Sequence, residues 1–514
     1  MKNFVGRDIP DELLVEGKEV YQGKYYMDGK YMQKAAPRTR IYEKPQESKL
    51  VATIAEALRQ CGAKSGMTFS FHHHLRNGDY VTNMVMQAAI EELGLEDITI
   101  AASSLGEAHD PIAGYIELGK VTGLQTSGIR GRIGEVVSAG KLKTPAIIRS
   151  HGGRPRAIEA GEVHIDIAFV AAPTSDCAGN CRGTGGKSNC GSLGYAMTDA
   201  KYADHVVVVT DCLVDFPNYP ASIEAIDVDA VVVVDSIGDP KKIASAAARI
   251  SQNPRDLMMA ENVARVIAAT PYFKDGFSFQ TGVGGPSLAA NLFLEKYMDE
   301  RGIKMGWGIC SVMVDLLKKG KVGKVIDVQD FDLEAVNSIN RTPGHFEMSA
   351  SQYANPANKG AFVNKLDFVV LAALEIDTDF NVNVLTGSDG VLRGAPGGHP
   401  DTAAGSKCCI IVTPLTRGRM ATVCEHVVTV TTPGDCVDVL VTDYGIAVNP
   451  ARGDLIKCLD DAGIEHVSIK ALQEKAYSLV GTPDDLEWED KVVAVLEARD
   501  GTILDVVRKI KPYI

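Results

Sequence analysis

Nowhere in the 514 residues does an uninterrupted apolar run approach the ~20 residues needed to cross a bilayer, so no transmembrane helix is expected. The first ten residues, Met1 to Pro10, hold no apolar stretch of the kind a signal peptide requires. Positive charge is also in short supply. A formal net charge of −13 disfavours nucleic acid and anionic membrane surfaces as partners. An anionic substrate would have to be held locally, by Arg, Lys, His or backbone amides. A paired-cysteine framework is missing too. Eleven cysteines, an odd number scattered along a long chain, suit reduced thiols in a cytoplasmic protein. Cys177, Cys181 and Cys190 cluster, but spacings of four and nine without a neighbouring His match no common zinc pattern.

Two nucleotide signatures are incomplete. Cys181-Arg-Gly-Thr-Gly-Gly-Lys-Ser188 imitates a phosphate loop, but Cys181 stands where the first glycine belongs. Its Arg182 and Lys187 suit a polar, anion-facing loop better. The glycines after Gln280 lack the third glycine and the acidic strand end of a dinucleotide fingerprint.

What is present is ordinary in bulk and informative in detail. Hydrophobic residues make up 45% and charged residues 23%, as in a globular protein of several domains. The central stretch Asp275–Ser287 reads as a strand, a glycine turn at Gly282, Gly284 and Gly285, and the mouth of a helix. Free amides there would suit an anion or a developing oxyanion. A tight turn with no ligand is the alternative.

The chain repeats itself. Phe69-Ser-Phe71 matches Phe277-Ser-Phe279, with Asn83 and Asn291 at equal distances beyond. Asp166–Ala172 matches Asp367–Ala373, with Asp176 and Asn180 against Asp377 and Asn381. His205–Thr210 has its counterpart in Cys408–Thr413. Ordered matches at offsets near 200 predict two related halves joined around Asp235 to Asn253. Continuous runs such as Val206–Val209 and Ile410–Val412 suit parallel strands covered on both faces. Helices are expected over Glu47–Cys61, Tyr80–Leu93, Lys241–Ile250, Leu257–Ala269 and Asp454–Ala462. The expected fold class is therefore α/β, two related open-sheet domains with a cleft at their interface. The division is an arm over residues 1–45, a first domain over 46–250 and a second over 251–514. The aromatic, charged arm is expected to pack on something, such as another subunit.

Polar loops supply the other candidates. His72, His73, His74 and Arg76 stand at the strand exit equivalent to the glycine turn, where anion recognition is favoured over a metal. Ser150-His-Gly-Gly-Arg-Pro-Arg156 is a basic glycine turn open to both readings. Thr386–Asp401 is too polar and glycine-rich for core, and offers Arg393, Gly397, Gly398 and His399.

These residues carry a resemblance. Gln280-Thr-Gly-Val-Gly-Gly, Ala372-Ala-Leu-Glu-Ile-Asp377, Gly397-Gly-His-Pro-Asp401 and Val441-Thr-Asp-Tyr-Gly-Ile-Ala447 resemble the CoA-transferase superfamily. With Phe71–Asp79 and Gly394–Ala404, the chain from about residue 30 onward resembles the citrate lyase alpha-subunit family within it. The resemblance implies a fold shared with ribose-5-phosphate isomerase. It also implies a transferase that exchanges acetate for citrate on the thioester of an acyl carrier. No cofactor would be bound covalently to this chain. A phosphoribosyl-dephospho-CoA arm would come from an acyl-carrier (gamma) subunit, with acetyl-CoA as surrogate. A citryl-lyase (beta) subunit would cleave the product, and a homo-oligomer within a larger complex is expected. Related enzymes that form a glutamyl thioester carry a Glu shortly before a Val-Asp-Leu, whereas Lys304–Leu316 contains none. Direct transfer in a ternary complex is the mechanism this implies, with Gly282, Gly284 and Gly285 stabilising oxyanions. Citrate would be held by His72, His73, His74, Arg76, Arg393, Gly397, Gly398 and His399. Competing readings are a CoA transferase or hydrolase for another acid, and a non-catalytic sensor of the same fold.

Overall fold

The computed structural model describes residues 1–511 except 16, 28, 31, 38–47, 244–249, 283 and 310–312. The stretches rich in Val, Ile and Phe pair into two large sheets. The first runs, edge to edge, Leu50–Val51, Ala230–Val233, His205–Thr210, Ile167–Ala172, Thr68–Phe71, Ile98–Ala102, Val121–Thr126, Ala146–Ile148, Trp488–Glu497 and Ile503–Ile510. The second runs His345–Glu347, Val325–Asp327, Met305–Ile309, Phe277–Thr281, Phe368–Leu371, Cys408–Val412, Val439–Thr442 and Gly445–Val448. Every pairing is parallel except the last in each, Trp488–Glu497 with Ile503–Ile510 and Val439–Thr442 with Gly445–Val448. Parallel strands need both faces covered, which is why Val206 to Val209 are all buried.

Topology bears out the internal repeat. Starting at Thr68–Phe71 or at Phe277–Thr281, the neighbours on both sides follow in the same chain order. The matched polar residues are repeated braces. Thr68 N–H donates to Asp166 Oδ2 at 2.7 Å, as Ser278 N–H does to Asp367 Oδ2 at 2.9 Å. Asp176 accepts from Asn180 N–H, and Asp377 from Asn381 N–H, in two equivalent turns. Pairing also corrects one match. Phe69 lies beside Ile167 and Phe279 beside Phe368, so Phe69 is equivalent to Phe279 and the Phe-Ser-Phe identity is displaced by two residues. Asn83 and Asn291 are therefore not equivalent.

Two boundaries move. The C-terminal hairpin, assigned by sequence to the second domain, extends the first sheet, Trp488–Glu497 lying beside Ala146–Ile148. The N-terminal arm packs on that hairpin of its own chain. Tyr21 N–H donates to Ile503 O, Ile503 N–H to Glu19 O, and Asn3 Nδ2 to Leu504 O. Among the helices, Ile54–Gln60 starts late because Leu50–Val51 is a strand and Thr53 caps, its side chain accepting from Glu56 N–H. Pro254–Ala269 begins at a capping Asn253, and Gly285–Arg301 stops at left-handed Gly302. Gly453–Asp461 matches expectation within one residue; most of Lys241–Ile250 lies outside the described residues.

Candidate active site

Because the strands of each sheet are parallel, their carboxyl ends open to one side. A cavity of about 530 Å³ lies there in the second half, lined by Gln280, Thr281, Gly282 and Gly284, by Asp327 to Gln329 and by Leu371 to Leu374. The first half closes it with Arg130, His151 and Tyr195. The polar loop contributes Arg393, Gly398 and His399. Of the described lining residues three are arginines, Arg130, Arg393 and Arg417, and one is a carboxylate, Asp327.

The glycine turn is placed as the sequence suggested, for a different reason. Gly284 has φ −70°, a conformation open to any residue, and begins the helix Gly285–Arg301. A methyl group at Gly282 or Gly284 would meet nothing nearer than 3.7 or 3.5 Å, ordinary contact distances. The fold does not demand glycine at either position, and both line the cavity. The amide of Gly282 is engaged, donating to Val370 O at 2.8 Å. Gly285 and Ser287, in the first helical turn, are left without intrahelical acceptors by position. Val283 lies outside the described residues.

The three histidines part company. His72 is core: Nδ1 meets Phe169 O at 3.2 Å and Nε2 lies 3.1 Å from Asp199, which also pairs with Arg154. His74 is core as well, its Nε2 2.7 Å from Ala171 O, and burial lowers its pKa to about 4. A strand exit alternates its side chains, and these two point inward. His73 faces the other way and joins an aromatic stack, 4.6 Å from Tyr195 and 5.4 Å from His151. Its Nδ1 lies 2.7 Å from Ser103 Oγ, and burial together with His151 holds it well below the usual imidazole range. Gln329 Nε2 donates to the His73 carbonyl at 2.9 Å.

Arg76 sits at φ 54°, ψ −134°, with its guanidinium 4.6 Å above the Phe331 ring, and Phe331 lines the cavity. Its buried Nη1 has no hydrogen-bond partner. Burial and nearby Arg130 lower its pKa, and burial lowers that of Arg130. Neither arginine has an acidic partner among the described residues. The two guanidiniums are close enough for each to feel the other's charge.

The polar loop is partly helix. His399–Gly405 is helical, with Gly398 as its cap. His399 has both nitrogens occupied, Nδ1 2.7 Å from Thr432 Oγ1 and Nε2 3.0 Å from Ala372 O, and burial lowers its pKa to about 4. It is a neutral brace for the strand end opposite the glycine turn, not a free donor to an anion. Gly397 has φ +53°, where a side chain would be strained, and its carbonyl accepts from His151 N–H at 2.8 Å. Arg393 is half exposed and paired with Asp389 at 2.7 Å. Arg417 donates to Ala373 O at 2.7 Å.

Several lining residues escaped the sequence reading. Tyr353 and Gln280 are bonded at 2.7 Å across the glycine strand, and burial raises both Tyr353 and Tyr195, keeping them phenols. Arg130, Tyr195, Asp327 and Arg417 belong to no local motif. His151 did carry a signal, in the basic turn at 150–156. Within that turn Arg154 and Arg156 are structural, paired with Asp199 and Glu162.

The sequence profile described as citrate lyase, alpha subunit, matches residues 47–510. The citrate lyase alpha chain of Haemophilus influenzae is 49% identical over 491 residues, 95% of this chain and 98% of that one. The Escherichia coli chain of the same name is 51% identical over 482 residues, 93% and 94% of the two chains. A crystal structure from Streptococcus mutans, described as the alpha subunit of citrate lyase in complex with citrate, superposes with a TM-score of 0.95 at 48% identity. That match covers 99% of this chain and 100% of the other. A Pseudomonas malonate decarboxylase structure at 18% identity shares only the fold, with a TM-score of 0.63 over 84% of this chain and 86% of its own. This chain belongs to the citrate lyase alpha-subunit family.

Proposed function

We propose that this chain exchanges acetate for citrate on the thioester of an acyl-carrier subunit, in the cytoplasm, giving citryl-carrier and acetate. The observation that carries the reading is Arg130, a cavity-lining cation with no acidic partner among the described residues, with Arg76 behind it over the lining ring of Phe331. Citrate is a polyanion near neutral pH and needs such cations. Hydrogen bonds from Tyr195 and His151 would orient it. His72, His74 and His399 are left out of this site, since each is engaged by the protein.

The thioester carbonyl would lie against Gly282 and Gly284, at the start of the helix Gly285–Arg301. A citrate carboxylate oxygen attacks the acetyl carbonyl carbon. The tetrahedral oxyanion collapses with loss of the carrier thiolate, leaving an acetyl–citryl anhydride. The thiolate then attacks the citryl carbonyl and acetate leaves. Both oxyanions form where first-turn amides and the helix dipole favour negative charge. Holding both reactants together supplies the positional advantage. Supporting direct transfer, Lys304–Leu316 has no glutamate, although residues 310–312 of that run lie outside the described structure. The repeated strand order supports a CoA-transferase and ribose-5-phosphate isomerase type of fold for both halves. A phosphoribosyl-dephospho-CoA arm on a gamma subunit, a beta subunit that cleaves citryl-carrier, and a homo-oligomeric core belong to the same reading.

The test is purified chain with citrate and acetyl-CoA as carrier surrogate. Citryl-CoA and acetate should appear in equal amounts. Turnover of malate or citramalate with citrate inert would overturn the assignment of substrate.

A further inference from the structure

Behind the cavity wall three titratable side chains face one another. Asp327 ends the strand Val325–Asp327 and lines the cavity, Asp330 follows three residues on, and His345 starts the neighbouring strand His345–Glu347. All three are at most 2% exposed. His345 Nε2 lies 2.8 Å from Asp327 Oδ2 and 3.9 Å from Asp330 Oδ1. Asp330 Oδ2 accepts from Ser192 N–H at 2.8 Å, while its Oδ1 is buried without a hydrogen-bond partner.

On its other side His345 Nδ1 lies 3.0 Å from Ser338 Oγ, which is 2.8 Å from Thr342 Oγ1. Two buried carboxyl groups and the imidazole Nε2 thus converge. Among the described residues neither aspartate has a Lys or Arg partner. Such a cluster is costly to bury unless something cationic lies within it.

We propose that Asp327, Asp330 and His345 bind a divalent transition-metal ion such as Mn²⁺ or Zn²⁺, with its remaining coordination positions turned toward the cavity. Donors each about 2.1 Å from one ion stand about 3 Å apart at right angles and at most about 4.2 Å apart. The observed 2.8 and 3.9 Å lie near these limits. Nitrogen with two carboxylates favours Mn²⁺, Fe²⁺ or Zn²⁺ over the oxygen-seeking Ca²⁺ and Mg²⁺. The bond from His345 Nδ1 to Ser338 is the outer support that a metal-bound imidazole requires. Because Asp327 is the wall of the cavity, a carboxylate ligand there would complete the coordination. That last consequence rests on the citrate reading; the ion site does not.

The experiment is titration of chelator-treated chain with MnCl₂, reading free Mn²⁺ by electron paramagnetic resonance. One ion per chain should bind, with affinity lowered about tenfold or more in Asp330→Asn and in Asp327→Asn. Circular dichroism of both variants checks their folding. No saturable uptake by the unsubstituted chain would overturn the site, the carboxyl groups then sharing a proton. Unchanged uptake in both folded variants would overturn it equally. Since no citrate is present, a failure of the substrate assignment leaves this result untouched.

Discussion

Gly152 N–H donates to Asp401 Oδ2 at 2.8 Å across 249 residues of sequence. The other carboxylate oxygen accepts from Ser150 Oγ at 2.7 Å. This clamp ties a turn of the first half to the helix His399–Gly405 of the second, and sets His151 against Gly397. A methyl group at Gly152 would lie 2.2 Å from Ala354 O, so only glycine lets the halves approach. Asp401→Asn keeps one acceptor and loses the other. It should cost about 1–3 kcal/mol, the range for a buried donor left unsatisfied. Denaturant unfolding would measure it, and a loss below about 0.5 kcal/mol would remove the clamp from the argument.

Gly282 and Gly284 separate folding from function. Their missing side chains leave room that the fold does not use. Gly284→Ala should therefore unfold within about 0.5 kcal/mol of the unsubstituted chain. Its kcat/KM for citrate with acetyl-CoA should nonetheless fall by about tenfold or more, as expected for a misplaced thioester. Unfolding midpoints and steady-state rates on the same preparation decide this, and undiminished activity would move the thioester elsewhere.

Arg76 and His72 were neighbouring candidates in the sequence, and the proposed citrate site gives them opposite behaviour. Arg76→Ala should raise the citrate KM by about tenfold or more, for the loss of a charged hydrogen bond of about 1.5–3 kcal/mol. His72→Ala should leave that KM unchanged in the folded protein and lower stability, because it strips a partner from buried Asp199. Reversal of these two outcomes would return His72 to the site.

What was legible follows from which signals are local. Strand runs, the glycine turn and the repeat lie in contiguous residues, so α/β sheets and paired strand–loop–helix units could be read directly. The displaced Phe-Ser-Phe match failed because identity of three residues does not fix register, while the Asp166 and Asp367 braces do. The hairpin at 488–510 was misassigned because nothing in its sequence says which sheet edge is free. Arg130, Tyr195 and Asp327 were missed for a similar cause: each is an isolated residue brought in by a different element, Tyr195 by the start of the helix Ala196–Tyr202 and Asp327 by a strand end. His72 and His74 were misjudged because alternation at a strand exit decides which side chains face a ligand, and composition does not.

Sodium borohydride gives the mechanism a direct test. A glutamyl thioester would be reduced to an alcohol, destroying activity when acetyl-CoA is present. With no glutamate in Lys304–Leu316, the chain should keep full activity after borohydride treatment with acetyl-CoA. Intact mass should be unchanged as well. Inactivation with reduction of one glutamate would establish a covalent enzyme intermediate.

Acid should weaken the fold over a window set by buried imidazoles. Burial lowers His74 and His399 to about 4 and His151 to about 3. Their unfolded counterparts titrate near 6.5 (about the model-peptide value), so below that pH the unfolded chain binds protons that the native one refuses. Their contribution to stability is complete above about 6.5 and is lost as pH falls toward 4. Asp401, raised by burial to about 6, works the other way: its contribution is present at low pH and is lost as pH rises through 6. These imidazoles, joined by His73, make stability fall on acidification from about 6.5 to 4, offset in part by buried carboxyls such as Asp401. Urea midpoints across that range measure the slope. Replacing His399 with Asn should lower the slope by about one proton, and an unaltered slope would show that this imidazole does not titrate as its burial requires.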